Sequence, residues 1–354
     1  MAKLQSTEVE TKLSQTKRQF MEVWPILKGQ LVDLLKAHRM PDEVTTWFSE
    51  NLSYNIVHGK LNRGLAVVET LEILHNRALT PDELFKGCVL GWCVEILQVN
   101  VSLAKDMMAN SFRVPSAKQT GTNDGFMLEA ALYHLLKLYF RTEPCYVYLL
   151  ELFLGTTFQT ATGQMIDILT FTKGEINLDK LSLERYQQVT IYKTAYHSFY
   201  LPVALAMRYA GIYTDSAYAT ALSILIPMGV YFQVQTDYLD TPRQTESVDA
   251  DQKCSWDITI ALRHANEEQR KALEEHYGHK EAASEAQVNQ IFNDLQIDGL
   301  YKEYEQTTYE HLSNLINVIP EVSQNCKEGI VYEDRVTLKK RVFSSLLDRI
   351  YQRQ

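Results

Sequence analysis

The sequence lacks several features that would indicate a particular class of protein. Its five cysteines (Cys88, Cys93, Cys145, Cys254 and Cys326) include no CxxC pair, so they indicate neither a zinc site nor a disulfide framework and favour a reducing compartment. Its net charge of −9 differs from the clustered basic charge with which proteins bind nucleic acids. We therefore expect no nucleic-acid partner.

The sequence also has little that is typical of membrane or secreted proteins. Residues 1–20 are polar and contain no apolar core of a signal peptide. No run of 18 or more apolar residues is present that could span a bilayer. We expect a cytoplasmic protein without a transmembrane segment.

What the sequence does contain is helical periodicity, and no alternating β pattern competes with it. Apolar residues recur three and four positions apart, and Thr80-Pro81-Asp82-Glu83 has the residues of a helix start. We predict a helix break near Gly155 and an interruption at Pro202. Because no repeat or linker divides the 354 residues, we predict one all-α domain over 1–354, with 1–15 as a flexible N-terminal segment.

Six sequence blocks occur in an order that resembles farnesyl diphosphate synthases, of the trans-type isoprenyl diphosphate synthase family, from about residue 16 to the C-terminus. The blocks are GKLNRG (59–64), LGWCVEILQ (90–98), FQTATGQMID (158–167), YKTAYHSFYLPVALAM (192–207), YFQVQTDYLD (231–240) and KCSW (253–256). The resemblance implies the isoprenoid synthase fold, a large antiparallel helical bundle around a deep central cavity, and commonly a dimer. It also implies a prenyltransferase that joins isopentenyl diphosphate to an allylic diphosphate with the help of magnesium.

The first aspartate-rich motif of that family is altered in this sequence. Diphosphate leaves readily only when its developing charge is neutralised, and the family holds magnesium for this purpose with two motifs of the form DDxxD. Positions one and five of such a motif lie on one face of a helix. Here they are Lys105 and Ala109, and the remaining Asp106 lies about 100° away around the helix.

The second motif is altered as well. It reads Thr236-Asp237-Tyr238-Leu239-Asp240, so a hydroxyl replaces its leading carboxylate. An arginine-containing segment that follows the first motif in the family is also missing. The resemblance leaves Asp106, Asp237 and Asp240 as candidate metal ligands, and we do not expect a full cluster of three magnesium ions.

Other residues match positions that bind substrates in the family. Lys60, Arg63 and Gln98 match contacts to isopentenyl diphosphate, and Lys193 and Thr194 match the pair that steadies the allylic cation and its leaving group. Further substrate-binding candidates are Gln164, Asp167, Gln233 and Lys253, of which Gln164, Asp167 and Gln233 are equally consistent with a structural polar network. We assign candidate catalytic roles to Lys193, Thr194 and Lys105, since the Lys105 ammonium could pair with a diphosphate.

Three substitutions are expected to alter the cavity. Asn100 and Val101 replace aromatic residues that form the floor of the product pocket in the family, which predicts a deeper pocket. His197 replaces a tyrosine and lies four residues after Lys193, hence on the same helix face. A neutral imidazole there could act as a base, or it could be a hydrogen-bonded core residue.

Three functional hypotheses follow. The first is a divergent prenyltransferase that handles isopentenyl and allylic diphosphates with weak or altered magnesium-dependent condensation. The second is a catalytically inactive paralogue that acts as a regulatory or dimer-partner subunit of an active synthase, in a homodimer or heterodimer. The third is a repurposed terpene cyclase that uses the altered cavity and His197.

Overall fold

A computed structural model of the chain consists of helices joined by short connections. It describes residues 2–56, 59–109, 117–170, 178–240, 254–279, 281–320 and 337–352, and within them the side chains other than those of 2–14, 104–109 and 117–120. In these stretches every regular element is a helix and no strand occurs. The predicted all-α fold class is confirmed.

The described helices are numbered here in chain order. They are α1 (Ala2–Ala37), α2 (Asp42–Ile56), α3 (Asn62–His75), α4 (Pro81–Ala109), α5 (Ala117–Phe140), α6 (Tyr146–Thr170), α7 (Leu183–Thr190), α8 (Leu201–Tyr209), α9 (Asp215–Asp240), α10 (Trp256–His264), α11 (Glu267–His276), α12 (Ala282–Asp294), α13 (Ile297–Asn317) and α14 (Lys340–Ile350). A π-helix, Ile191–Tyr200, joins α7 to α8, and one turn of 3-10 helix precedes α7.

The start of α4 has the cap that its sequence predicts. The Thr80 hydroxyl accepts the backbone N–H of Glu83 at 3.3 Å, and the Glu83 carboxylate accepts the backbone N–H of Thr80 at 2.8 Å. This reciprocal capping box satisfies two amides that have no partner inside the helix. The predicted helix start is confirmed.

Another expectation from the sequence, the helix break near Gly155, was wrong. Helix α6 continues through Gly155, and the chain is non-helical instead at residues 141–145, which include Pro144. A glycine inside a helix costs only about 1 kcal/mol, whereas proline removes a donor and disfavours helical geometry in the residue before it. The segment 1–15 has helical backbone from Ala2 onward, and its flexibility stays a prediction.

The helices belong to two compact units, each formed by three separate stretches of chain. Unit 1 comprises Met1–Thr157, Leu201–Ala217 and Val322–Leu338. Unit 2 comprises Phe158–Tyr200, Tyr218–Glu321 and Lys339–Gln354. Each unit is described by itself, and the single domain over 1–354 stays a prediction.

In unit 1, α3 and α4 pack closely at a pair of glycines. A Cβ atom at Gly64 would lie 2.9 Å from the carbonyl oxygen of Gly91, and one at Gly91 would lie 2.5 Å from the carbonyl oxygen of Gly64. The ring of Phe20 fills the space beside both glycines and stacks on Trp92 with 4.5 Å between centroids. The blocks GKLNRG and LGWCVEILQ therefore contain the glycines that let these two helices approach each other.

In unit 2, the helix that follows α7 changes its winding before Pro202. Residues Ile191–Tyr200 form a π-helix, and α-helical winding resumes at Leu201. Proline has no amide hydrogen and its ring crowds the carbonyl group four residues earlier, so it disfavours the regular α pattern in the turn before it. The predicted interruption at Pro202 is confirmed, and π-helical turns are frequent at functional sites.

Two glycines hold this π-helix against its neighbours. A Cβ atom at Gly163 of α6 would overlap the backbone nitrogen of Lys193, and one at Gly229 of α9 would lie 2.6 Å from the Cα atom of Ala195. The π-helix thus lies between α6 and α9 at backbone distance. This packing determines which polar side chains of the three helices meet.

Two helical segments, Pro81–Leu103 and Asp215–Asp240, have the length and hydropathy of a membrane span. The most apolar part of each is 61% and 50% buried inside the protein, respectively. Buried core helices meet the same criteria, so this property by itself is weak evidence of a membrane span.

Candidate functional site

Lys193 and Asp167 form an ion pair in unit 2. The ammonium nitrogen of Lys193 lies 2.5 Å from Oδ2 of Asp167, and the two side chains are only 21% and 23% exposed. Lys193 comes from the π-helix and Asp167 from α6, which touch at Gly163. An anionic ligand that binds Lys193 must therefore compete with the Asp167 carboxylate.

The next residue, Thr194, begins a chain of hydrogen bonds that leads into α9. Its hydroxyl donates to Oε1 of Gln233 at 3.1 Å, and Nε2 of Gln233 donates to Oδ1 of Asp237 at 3.0 Å. Thr194 and Gln233 are half-buried, whereas Asp237 is buried. The structure thus brings together Asp167, Lys193, Thr194 and Gln233, which were predicted separately from their sequence blocks.

Asp237 is held by two further donors. The Tyr186 hydroxyl donates to its Oδ2 at 2.8 Å, and the backbone N–H of Trp256 donates to the same oxygen at 3.2 Å. Trp256 is the first residue of α10, whose N-terminal amides favour a negative charge. Burial, and then the neighbouring Asp237, raises the pKa of the Tyr186 hydroxyl well above its ordinary value, so this group remains a donor.

The α9 residues do not fit a magnesium ligand set. Both oxygens of Asp237 already accept hydrogen bonds from protein donors, and the Thr236 hydroxyl donates to the carbonyl oxygen of Phe232 in its own helix at 2.9 Å. Asp240 is exposed at the last residue of α9. Among the described residues, no three His, Cys, Asp or Glu side chains are grouped to hold a metal ion. The metal assignments of Asp237 and Asp240 stay predictions without support from this geometry.

Cys254 places the KCSW block beside the same carboxylates. Burial, with smaller contributions from Asp167 and Asp237, raises the pKa of the Cys254 thiol to about 12. The group is therefore a neutral thiol at physiological pH rather than a nucleophile. The neighbouring Lys253 lies outside the described residues.

In unit 1, a buried carboxylate organises the GKLNRG block. Glu95 of α4 accepts the backbone N–H of Gly64 at 2.7 Å, and also that of Arg63. Both amides belong to the first turn of α3, whose N-cap residue Leu61 has a left-handed backbone and no side chain that could cap it. Glu95 therefore takes the place of an N-cap and fixes the chain at Arg63.

The candidate contacts to isopentenyl diphosphate in unit 1 differ in their surroundings. Burial lowers the pKa of the Arg63 guanidinium, an effect that the charge of Glu95 partly opposes, and burial raises the pKa of Glu95. Lys60 is exposed, and the half-buried Gln98 donates from Nε2 to the Ser102 hydroxyl at 2.9 Å. The roles assigned to Lys60, Arg63 and Gln98 stay predictions.

The substituted cavity positions lie on different elements. Asn100 packs against α5, because a Cβ atom at Gly125 would lie 2.8 Å from its Oδ1, and Val101 beside it is half-buried. In unit 2, His197 is buried, with Nδ1 3.5 Å from the Ser198 hydroxyl. The deeper pocket and the basic role of His197 stay predictions, and Gln164 one turn before Asp167 is half-buried.

The first aspartate-rich motif falls at the end of α4. Its backbone is helical as far as Ala109, as expected, but the side chains of Lys105 and Asp106 lie outside the described part. Their catalytic and metal-binding assignments stay predictions.

Sequence reasoning did not identify Glu95, Tyr186 and Trp256 as site residues. A carboxylate inside the apolar run LGWCVEILQ is a usable signal, because a buried charge requires a partner. Tyr186 offers no such signal, since its contact with Asp237 joins residues 51 positions apart.

Comparison with known proteins identifies the family of the chain. A family model described as polyprenyl synthetase matches residues 45–295. The chain belongs to the polyprenyl synthetase family. Its relatives include the farnesyl pyrophosphate synthases of Ganoderma lucidum, with 44% identity over 96% of this chain and 98% of that protein, and of Saccharomyces cerevisiae, with 42% identity over 95% and 97%.

A solved structure supports the fold in the same way. The crystal structure of T. brucei farnesyl diphosphate synthase matches with a TM-score of 0.84 at 24% identity, over 96% of this chain and 100% of that one. The predicted isoprenoid synthase fold is confirmed.

Proposed function

We propose that the protein is a divergent prenyltransferase of the farnesyl diphosphate synthase type, which handles isopentenyl and allylic diphosphates in the cytoplasm. The near full-length similarity to farnesyl pyrophosphate synthases supports this substrate class. The observation that carries the proposal is the Lys193–Asp167 pair beside the Thr194–Gln233 hydrogen bond. An ammonium group and a hydroxyl dipole at adjacent positions suit a diphosphate and the allylic carbon attached to it.

The altered aspartate-rich motifs support a weakened dependence on magnesium. Three ligand positions of the family are occupied here by Lys105, Ala109 and Thr236, and the Thr236 hydroxyl is bonded inside its own helix. A lysine repels a divalent cation but attracts a diphosphate. One ammonium group neutralises only part of the charge that develops on the leaving group, so we expect slow turnover.

In this proposal several residues of the chain bind the substrates and take part in the reaction. Lys193 leaves Asp167 to pair with the allylic diphosphate. The allylic C–O bond breaks, the Thr194 oxygen faces the resulting cation, and the double bond of isopentenyl diphosphate forms the new C–C bond. The released diphosphate then accepts a proton from the product cation. Lys60, Arg63 and Gln98 bind the second diphosphate.

The test is incubation of the purified protein with isopentenyl and geranyl diphosphates, with and without magnesium. Farnesyl diphosphate is expected in both conditions, with Lys193→Ala at least tenfold slower because a charge-assisted contact to the leaving group is lost. Lys180→Ala, at an exposed lysine of the same unit, is the matched control and should keep the wild-type rate. No product in either condition would overturn the catalytic proposal.

One observation favours a second candidate, a subunit that pairs with another synthase chain. Within unit 2, α6 exposes Phe158, Met165 and Leu169, with exposed fractions of 75%, 54% and 58%. They are spaced seven and four residues apart and so form one apolar stripe. Such a stripe suits an interface between chains, either a homodimer or a heterodimer with an active synthase.

Copurification with an active synthase, and the change of its rate on mixing, test the second candidate. Phe158→Glu should abolish both effects, because it places a charge in the proposed interface, whereas Gln187→Glu, which adds the same charge at an exposed residue of α7 in the same unit, should not. Monomeric behaviour of the wild type, with no effect on the active synthase, would exclude it.

A further inference from the structure

The hydrogen bonds around Gln233 have a direction that the chemistry of Asp237 dictates. An ionised carboxylate only accepts hydrogen bonds, so the Gln233 atom that faces it at 3.0 Å must be the Nε2 donor. The other end of the same amide, Oε1, therefore faces Thr194. Since that oxygen only accepts hydrogen bonds, the Thr194 hydroxyl must donate its one hydrogen to Gln233.

Asp237 cannot reverse this arrangement, because it is anchored on its other side. Oδ2 accepts from the Tyr186 hydroxyl and from the first amide of α10, and the side chain is only 2% exposed. These two donors hold the carboxylate in place through Oδ2. The orientation of Gln233 is thus set from the buried end of the chain of hydrogen bonds.

We propose that Asp237 is a positioning residue that acts through Gln233. Because of it, the Thr194 oxygen presents only its lone pairs to a ligand, and the site favours a positively charged ligand group beside Thr194. This inference rests on the proposed function, since it concerns the allylic end of a diphosphate ligand. A fixed, partly buried dipole stabilises positive charge without reorganising at the moment of reaction. In the family's motif, Asp237 lies beside the metal-ligand position. Here it orients Gln233 and Thr194 for an organic cation.

The isosteric variant Asp237→Asn should reverse the direction of the hydrogen bonds that join residue 237 to Gln233 and Gln233 to Thr194. Tyr186 and the Trp256 amide both donate, so they select the carbonyl oxygen of the new amide and turn its NH₂ group towards Gln233. Gln233 must then rotate to present Oε1 to that NH₂ group and Nε2 to Thr194. Thr194 would accept from Gln233 and direct its own hydrogen towards the ligand.

The experiment compares two alkyl diphosphate probes of equal size by calorimetry. One carries a dimethylammonium group where an allylic chain has its branched carbon, and the other carries an isopropyl group. Wild type should bind the ammonium probe at least tenfold more tightly, and Asp237→Asn should reduce this ratio at least tenfold. Gln233→Leu should also reduce the ratio while the charge of Asp237 remains, which separates hydrogen-bond polarity from the loss of a charge.

A double-mutant cycle with Thr194→Val isolates the route through Thr194. In the valine background, Gln233→Leu should leave the ratio unchanged. An equal effect of Gln233→Leu in both backgrounds, or a wild-type ratio near one, would overturn this inference while the binding of both probes upholds the proposed function. If neither probe binds wild type, the proposed function fails and this inference fails with it.

Discussion

Gly163 lies against the backbone nitrogen of Lys193, with no room for a side chain between the two. This contact holds the π-helix on α6 and sets the ion pair between Lys193 and Asp167, four residues after the glycine. The position of the candidate catalytic lysine therefore depends on a backbone contact rather than on the lysine side chain alone.

We expect Gly163→Ala to destabilise the fold and to displace Lys193. Overpacking of a close contact costs about 1–3 kcal/mol, and a shift of 1 Å at a reacting group can reduce rates by about a hundredfold. Urea unfolding should show the loss of stability, and calorimetry with geranyl diphosphate should show weaker binding. Gly155→Ala is the control in the same helix: a Cβ atom there meets nothing within 4 Å, so it should stabilise by up to about 1 kcal/mol. Equal effects of the two variants would contradict this explanation.

Glu95 should make the free energy of unfolding vary with pH. Burial raises its pKa in the folded state above the ordinary value of 4.5, so the folded protein binds more protons than the unfolded chain from about pH 4.5 upward. The contribution of this group to stability is therefore complete below pH 4.5 and is lost as the pH rises through its folded pKa. One such group changes stability by at most about 1.4 kcal/mol per pH unit.

Glu95→Gln should remove this slope, because the amide does not titrate and its oxygen can still accept the amides of Arg63 and Gly64. Urea unfolding of both proteins between pH 4.5 and 7.5 measures the difference. Glu83→Gln, at the exposed cap of α4, is the comparison and should leave the slope above about pH 5.5 unchanged, since its folded pKa, lowered to about 2, and its ordinary value of 4.5 both lie below that range. A parallel pH profile for wild type and Glu95→Gln would refute the assignment.

The C-terminal helix should depend on one amide of α9. Nε2 of the fully buried Gln235 donates to the carbonyl oxygen of Ile350 at 2.7 Å, and Glu305 of α13 accepts from the same nitrogen at 3.3 Å. Gln235→Leu leaves the Ile350 carbonyl group without this donor, at a cost of about 1–3 kcal/mol. Hydrogen exchange of residues 340–352 should become faster. Gln306→Ala removes two exposed contacts, one to the Tyr351 hydroxyl and one to Glu310, and should change exchange much less.

The helices could be predicted because their signals are local. The cap at Thr80 and the interruption at Pro202 depend on residues within a few positions, and the structure confirms both. Gly155 misled the prediction because a glycine only weakens a helix. Whether α6 breaks there is decided by its packing, which a local pattern does not reveal.

The candidate site was predictable only in part. Lys193, Thr194 and Gln233 were found through family blocks, but the direction of their hydrogen bonds follows from Tyr186 and Trp256. These two residues reach Asp237 from other helices, and no spacing in the sequence joins them. In the tertiary fold, Asp237 of the altered second motif therefore acts as a hydrogen-bond acceptor.

Restoring carboxylates should restore magnesium dependence. The combined variant Lys105→Asp, Ala109→Asp and Thr236→Asp puts acids back at positions one and five of the first motif and at position one of the second. Such positions face the same side of a helix, and magnesium prefers carboxylate oxygens. Binding of an isoprenoid bisphosphonate, measured by calorimetry, should be independent of magnesium in wild type. In the variant, magnesium should tighten this binding by about tenfold or more, which is about 1.4 kcal/mol.

The matched control is Lys105→Asp, Met107→Asp and Thr236→Asp, which makes the same change of charge but turns one acid to the opposite side of the helix. Equal magnesium dependence in the two variants would mean that charge alone is responsible, and the reading of Lys105 and Ala109 as lost ligand positions would then be wrong.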